Sequence, residues 1–280
     1  MTPGARVAAA IEAVGQWLES SEGLDRVLAA WGRAHRFAGS KDRRAIADLA
    51  YDAVRRMRSA GWAAGAPESR DPRRLLIGSL RLDGTDPAAL FTGEGHAPPP
   101  LDPEERATLP LDDAPEGVRL DLPDWLLPHL AGVPREALAA LRARAPLFLR
   151  VNALKATPAD AIAVLSGDGV TAEPGPLSPH CLRVTGGAPR VAGGRAFAEG
   201  LVEVQDAASQ AVAGFCAARP GETVVDWCAG GGGKTLALAA AMAGRGRLIA
   251  HDAAPQRLAQ LAPRAARAGA VIETLPPGTA

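Results

Sequence analysis

Residues 222–252 read ETVVDWCAGGGGKTLALAAAMAGRGRLIAHD, and the fold turns on them. A short apolar run, Thr223-Val224-Val225-Asp226-Trp227-Cys228, follows a Pro220-Gly221 turn and is β-branched at its start. A run of this length behind a turn reads as a buried strand. Ala229 leads into four glycines, Gly230 to Gly233, and Lys234-Thr235 opens an alanine- and leucine-rich segment, Leu236 to Met242, of high helix propensity. A second apolar run, Arg247 to Asp252, ends in a carboxylate. Strand, glycine turn, helix, strand, acid is the opening unit of a nucleoside-binding α/β sheet. Glycine lets backbone approach a ligand where a Cβ would clash. The helix start offers unpaired N–H groups to a negative charge. Asp252, 20 residues after Gly232, stands where a carboxylate can accept hydrogen bonds from ribose hydroxyls.

Spacing separates the candidate ligands. A phosphate-binding loop needs GxxxxGK[ST], but the position five before Gly233 is Cys228. The dinucleotide pattern GxGxxG fails as well, landing on Thr235 from Gly230 and on Leu236 from Gly231. An ATP-dependent enzyme therefore rests only on Gly233-Lys234-Thr235, and a plain alanine- and glycine-rich loop of any α/β protein is the bland alternative. A third ligand, S-adenosylmethionine, needs no phosphate cradle. Its carboxylate suits helix-start N–H groups and its ammonium suits Asp226. The expected cofactor-binding residues are Asp226, Cys228, Ala229, Gly230, Gly231, Gly232, Gly233, Lys234 and Asp252. Cys228 is expected to be a small buried residue lining this pocket and not a nucleophile.

The stretch Val204-Gln205-Asp206-Ala207-Ala208-Ser209-Gln210, followed by DWCAGGGGKT and by His251-Asp252, resembles the Sun/RsmB family of RNA cytosine-5 methyltransferases. The likeness extends upstream to Arg150-Val151-Asn152 and an N-terminal helical region. It implies an α+β multidomain fold: a NusB-like helical bundle, a small RRM-like subdomain and the first half of a Rossmann-like class I methyltransferase sheet. It also implies RNA, ribosomal RNA in particular, as partner, and places Arg150 and Asn152 near the substrate side. Carbon 5 of cytosine is a poor nucleophile, and the family activates it by adding a cysteine thiolate to carbon 6. Its members carry the cysteines in Pro-Cys and Ser/Thr-Cys-Ser/Thr motifs after the third strand. Residues 221–280 supply three strands, no Pro-Cys pair occurs, and Cys181 follows His180. The expectation is a fragment without turnover, or else a degenerate member retained for RNA binding; no catalytic residue is assigned.

Composition bounds the rest. Apolar residues make up 47% and charged residues 22% of the 280, ordinary for a globular protein, and formal net charge is zero. That zero argues against a uniformly basic nucleic-acid binder. Arginine outnumbers lysine 28 to 3, which fits a GC-rich coding sequence more readily than a function. Three cysteines, Cys181, Cys216 and Cys228, without CxxC point to a reducing cytoplasm with neither disulfide frame nor metal site. Cys216 is expected to be buried. There is no apolar run of 18 residues for a membrane span and no secretion signal.

Four regions are expected along the chain. Residues 1–82 read as the helical RNA-binding domain, with Val7, Ile11, Val14 and Leu18 and then Ile46, Leu49, Ala50, Ala53 and Val54 at helical spacing. Ser40 is the expected cap of one helix. Between Arg26 and Arg81 there are 13 basic and 5 acidic residues, and Arg36, Lys41, Arg43 and Arg44 are the expected RNA contacts. Residues 83–120 read as an acidic, proline-rich linker; from 83 to 124 eleven acids face two arginines. An acidic strap shielding the bundle is the other reading of that stretch. Residues 121–205 read as short helices followed by the RRM-like subdomain, with strands at 147–152, 181–184 and 201–204 and a helix opening at Thr157-Pro158. Residues 206–280 hold the methyltransferase part: a helix over 206–219 capped by Asp206 or Ser209, the strands at 223–228 and 247–252, a helix over 255–268 and a strand at 271–275.

Overall fold

Thr2 stops the chain entering a helix too early. Its hydroxyl accepts the Ala5 N–H, Pro3 takes the first position, and helix α1 runs Pro3–Leu18. The computed structural model describes residues 1–275 and 278 and separates into two compact units, 1–145 and 146–280. Of the tail Pro276 to Ala280, all but Gly278 lies outside the described residues.

In the first unit α1 packs with α2 (Leu24–Ala34), α3 (Ser40–Arg55), α4 (Met57–Ala63) and α5 (Pro72–Leu82). The apolar faces expected from the spacing meet in one core that holds Val14, Trp31, Ile46, Ala50, Leu75 and Leu76. Ser40 does not cap α3. Gly39 has the extended backbone a cap needs, and Ser40 already lies in the helix.

Residues 83–120 are not a loose linker. They run as short 3-10 turns and the helix α6 (Glu116–Leu120), and two kinds of contact hold them. Phe91 (2% exposed) and Leu101 enter a second core with Val7, Ile77 and Leu80. The acids pair with the arginines of the helices: Asp83 with Arg56 at 2.7 Å, Glu104 with Arg74 at 3.4 Å and the buried Glu105 with Arg73 at 2.7 Å. Further on, Asp124 pairs with Arg58 at 2.9 Å, and Asp121 takes both Arg142 and the Ser59 hydroxyl. A 3-10 segment, Asp124–Leu130, and α7 (Arg135–Ala140) complete the unit.

The second unit begins with β1 (Phe148–Val151). A capping box of Thr157 and Asp160 then starts α8 (Pro158–Gly167). The strands β2 (Thr171–Pro174) and β3 (Cys181–Gly186), the short α9 (Arg195–Ala198) and β4 (Val202–Val204) follow. These strands form an antiparallel sheet in the order β2-β3-β1-β4. Asp206 caps α10 (Ala207–Phe215) by accepting the N–H groups of Ala208 and Ser209. Then β5 (Thr223–Asp226), α11 (Gly233–Ala241), β6 (Arg247–His251), α12 (Pro255–Leu258), α13 (Leu261–Ala268) and β7 (Glu273–Leu275) build a parallel sheet in the order β5-β6-β7. The single helix expected over 255–268 is two. Pro263 has no N–H and its ring collides with the carbonyl four residues back, so the helix breaks at Ala259-Gln260. Gly269, at φ +71°, ends α13.

Candidate cofactor and RNA site

Side chains alternate across a strand, so β1 has two jobs. Leu149 and Val151 enter the apolar core beneath the antiparallel sheet, while Arg150 and Asn152 point to the other face. There Arg150, 5% exposed, donates from Nη1 to Gln205 Oε1 at 2.8 Å and to the Gly233 carbonyl at 2.7 Å. Burial pushes its guanidinium down to about 10, still cationic at neutral pH. Its direct cross-strand partner is Glu203, which is buried and receives Arg264 at 3.0 Å and Arg267 as well. Asn152 donates to the carbonyls of Gly200 at 2.9 Å and Ala268 at 2.8 Å. Lys155 Nζ closes the row on the carbonyls of Glu199 and Arg267. This polar seam fixes the glycine turn and α13 onto the antiparallel sheet. Arg150 and Asn152, expected near RNA, are consumed inside it.

The turn itself sits at the C-terminal ends of β5 and β6, where open parallel sheets bind ligands. Gly230 and Gly232 take positive φ, +54° and +83°. At Gly232 an added Cβ would lie 2.1 Å from Leu261 Cδ1, so only glycine fits. The Gly230 N–H donates to Asp252 Oδ2 at 2.8 Å, and the Ala254 N–H donates to Asp252 Oδ1 at 2.9 Å. Those two bonds, Ala254 first, hold the buried Asp252 carboxyl below the usual carboxylate range. Each oxygen of an ionised carboxylate keeps a second acceptor site. Asp226 Oδ2 accepts the Thr235 hydroxyl at 2.7 Å, which ties the end of β5 to the first turn of α11. The backbone N–H groups of Gly231, Gly233 and Lys234 have no acceptor among the described residues. They stand at the positive end of a nine-residue helix.

Of the nine residues expected around the cofactor, Ala229 and Gly230 to Gly233 form the turn, with Asp226 and Asp252 on either side of it. Lys234 is exposed at the head of α11. Cys228 is not buried but exposed, because it falls past the end of β5 in the loop. Cys216 is exposed too, since α10 stops at Phe215. Sequence reasoning missed Thr235, Gln205, Glu203, Arg264 and Arg267. The only signal for the last two was an i, i+3 arginine pair, which reads as an ordinary solvated helix face.

On the helical unit the strap decides which cations remain. Arg56, Arg58, Arg73 and Arg74 are paired with acids, and Arg81 is spent on the carbonyls of Ala63, Glu105 and Ala107. Arg33, Arg36 and Lys41 are exposed and have no ion-pair partner among the described residues. Arg43 is exposed beside them with its Nε on the Ala38 carbonyl, and Arg44 reaches Asp48 only at 4.0 Å. Arg70 and Arg106 are exposed without an ion pair among the described residues as well, but the densest run of free positive charge, between Arg33 and Arg44, lies at the α2–α3 corner.

No helix among the described residues is long and apolar enough to cross a membrane, and no group of three metal-ligating side chains occurs among them. Parallel strands, a glycine turn at a helix head and a carboxylate closing the next strand are the arrangement on which nucleoside-binding α/β proteins build a ligand site. Comparison with known proteins narrows that class. Residues 122–190 match the ferredoxin-like domain of RsmF/B-like methyltransferases, and residues 214–275 match the 16S rRNA methyltransferase RsmB/F family. The chain is 33% identical over 161 residues to ribosomal RNA small subunit methyltransferase B of Salmonella arizonae, covering 56% of this chain and 37% of that one. It is 35% identical over 143 residues to the same-named protein of Citrobacter koseri, covering 50% and 33%. Among solved structures, the crystal structure of PH0851 superposes with a TM-score of 0.69 at 22% identity, over 98% of this chain and 69% of that one. A methyltransferase homolog from Pyrococcus horikoshii superposes with a TM-score of 0.51 at 24% identity, over 57% and 54%. Both matched regions are those of RsmB/F-type RNA methyltransferases, and over them the chain is similar to that family. The chain spans little more than a third of the length of the curated relatives it matches.

Proposed function

We propose that this chain binds S-adenosylmethionine at the glycine turn and RNA on the helical unit, and that it serves methylation of carbon 5 of cytosine in ribosomal RNA. In this reading the helical unit is NusB-like and the antiparallel sheet RRM-like. The observation that carries the proposal is the set of unpaired amides of Gly231, Gly233 and Lys234 at the head of α11, with Asp252 at the end of the next strand. When bound, the cofactor supplies an electrophilic methyl group on a sulfonium. The three amides receive its carboxylate, and the second oxygen of Asp226 receives its ammonium. Asp252, anchored through one acceptor site per oxygen, offers the other sites to ribose hydroxyls.

Reaction at cytosine needs a thiolate to add to carbon 6 and make carbon 5 nucleophilic. After methyl transfer a base removes the carbon 5 proton, and the thiolate leaves. None of the three cysteines is assigned that role. Cys181 is buried, which pushes its thiol up; Cys216 ends α10; Cys228 adjoins the glycine turn. The 280 residues alone should therefore bind without turnover. The test is calorimetric titration with S-adenosylhomocysteine. Binding weakened at least tenfold by Asp252→Ala is expected, while preferential magnesium-dependent ATP binding overturns the assignment. Methyl transfer to a cytosine-containing RNA by these residues alone would overturn the absence of turnover. The unpaired cations of the α2–α3 corner favour one second reading, a non-catalytic RNA-binding protein. It is the correct one if RNA binds and the cofactor product does not.

A further inference from the structure

A cavity of about 820 Å³ opens in the helical unit between α1, the end of α2 and the loop at 94–97. Its size is that of a small-ligand site. Its walls are aromatic on one side. Trp31, 4% exposed, stacks on His35 with ring centroids 4.2 Å apart and planes 17° apart. Phe37 stands edge-on to His35 at 5.6 Å and is itself 70% exposed. A large aromatic ring left in solvent at the mouth of a cavity is a platform without a partner. The polar lining combines the carboxylates of Glu12 and Glu94 with Thr2, His96 and the Met1 ammonium, and that ammonium is already paired with Asp42 at 3.3 Å. Glu12 lies 4.0 Å from His35 Nε2 and accepts from Gln16, whereas the Glu94 carboxylate has no partner among the described residues. Trp31 Nε1, in the innermost ring, has no hydrogen-bond partner among them either. In sequence, the unpaired Arg33, Arg36 and Lys41 bracket Phe37.

Aromatic platform, carboxylate acceptor and adjacent cations are the three elements that recognise an unstacked base in single-stranded RNA. We propose that this cavity receives a single unpaired guanine, stacked on Phe37, whose plane stands 88° to that of His35, with the Glu94 carboxylate accepting its N1–H and N2–H. Guanine is the base that offers two adjacent N–H donors to one carboxylate. Cytosine and adenine offer an amino group beside a ring acceptor. Uracil offers one N–H between two carbonyls that repel a carboxylate. Arg33, Arg36 and Lys41 hold the flanking phosphates. The proposal rests on the RNA-binding reading and adds a base preference and a place to it.

The experiment uses the full chain and nine-nucleotide oligouridine, labelled at one end, with either guanosine or uridine at the centre. Binding is followed by fluorescence anisotropy, and circular dichroism confirms that each variant is folded. The guanosine oligomer should bind about tenfold more tightly, the scale of one well-formed bidentate base contact. Phe37→Ala and Glu94→Gln should each bring that ratio close to one while the affinity for all-uridine RNA stays within twofold. Equal affinities for the two oligomers in the wild-type chain overturn the guanine pocket and leave the RNA reading standing. Failure of both RNAs to bind overturns the RNA reading and the pocket with it. An arginine-rich peptide that binds more tightly than either RNA, and loses that affinity with Glu94→Gln, assigns the cavity to a protein partner instead.

Discussion

Gly232→Ala tests whether the glycine turn is held by packing against α13. Gly232 has φ +83°, and the left-handed region costs a side-chain-bearing residue about 1–2 kcal/mol. The new Cβ would sit 2.1 Å from Leu261 Cδ1. Leu261 is 1% exposed and belongs to the core with Leu236, Ala250 and Leu258, so its methyl has nowhere to go without moving neighbours. Overpacking of that kind adds about 1–3 kcal/mol, for a total of about 2–5 kcal/mol. The two parts separate in a double-mutant cycle. Leu261→Ala alone should cost about 2–5 kcal/mol by leaving a cavity. In that background Gly232→Ala should retain only the backbone cost, about 1–2 kcal/mol, because the obstructing methyl is gone. The coupling is thus about 1–3 kcal/mol and favours the double variant. Hydrogen exchange of peptides from 223–268 across a urea series reads the second unit separately from the first. The same cost for Gly232→Ala in both backgrounds would refute the contact, and a cost near zero would refute the left-handed turn.

Arg150→Met keeps the aliphatic stem but strips donors from Gln205 and the Gly233 carbonyl. Lost charge-assisted bonds of about 1.5–3 kcal/mol each outweigh the desolvation that is relieved, so a net destabilisation of about 1–3 kcal/mol is expected in urea titration. The pH dependence of Asp252 has a definite sign. Its carboxyl is depressed in the folded state, so its contribution is present above the unfolded-state value and lost as pH falls through the lower folded one. Asp252→Asn should therefore flatten the acid limb of the stability profile in urea titrations across pH, and an acid limb as steep as that of the wild-type chain would refute this contribution. Glu105→Ala removes one partner of a buried pair on the strap and should destabilise the first unit by about 2–4 kcal/mol, measured by urea-induced loss of helical circular dichroism. Reversing the charge of Arg33, Arg36 and Lys41 should reduce the salt slope of single-stranded RNA binding by about 2 or more, at roughly 0.7 per phosphate contact. Reversing Arg56 and Arg74, whose partners Asp83 and Glu104 are exposed, should leave that slope unchanged, because the strap already neutralises them.

The glycine turn was legible because its constraints are local. A β-branched run, glycines that free the backbone, a helix former and a closing acid each act within a few residues, and the structure shows β5, the turn, α11 and β6 in that order. The caps at Thr157 and Asp206 were legible for the same reason. What failed depended on partners distant in sequence. Strand β2, Thr171–Pro174, is an edge strand with little burial and so carries no alternating apolar signal. Arg150 and Asn152 look like polar residues at a strand end. Only the placement of β1 at the inside of its sheet, with the glycine turn and α13 against the second face, makes their burial sensible.

The acidic stretch is the most instructive of these cases, because composition pointed to a mechanism and a location that packing then divided. Eleven acids and two arginines over 83–124, with prolines among them, carry too little apolar surface to fold alone, which is what the linker reading expressed. The stretch needs only a few apolar anchors, however, if its charge is met elsewhere. Phe91, Leu101, Val118 and Leu120 supply the anchors, and the arginines of α4, α5 and the α3–α4 junction supply the charge. The surplus of basic residues between 26 and 81 therefore cannot be read as one RNA-binding surface. The part of it on the strap side stabilises the fold, and the part at 33–44 stays available to phosphate. That division is why the two charge-reversal sets above should behave oppositely, although in the sequence both are arginine clusters of similar density.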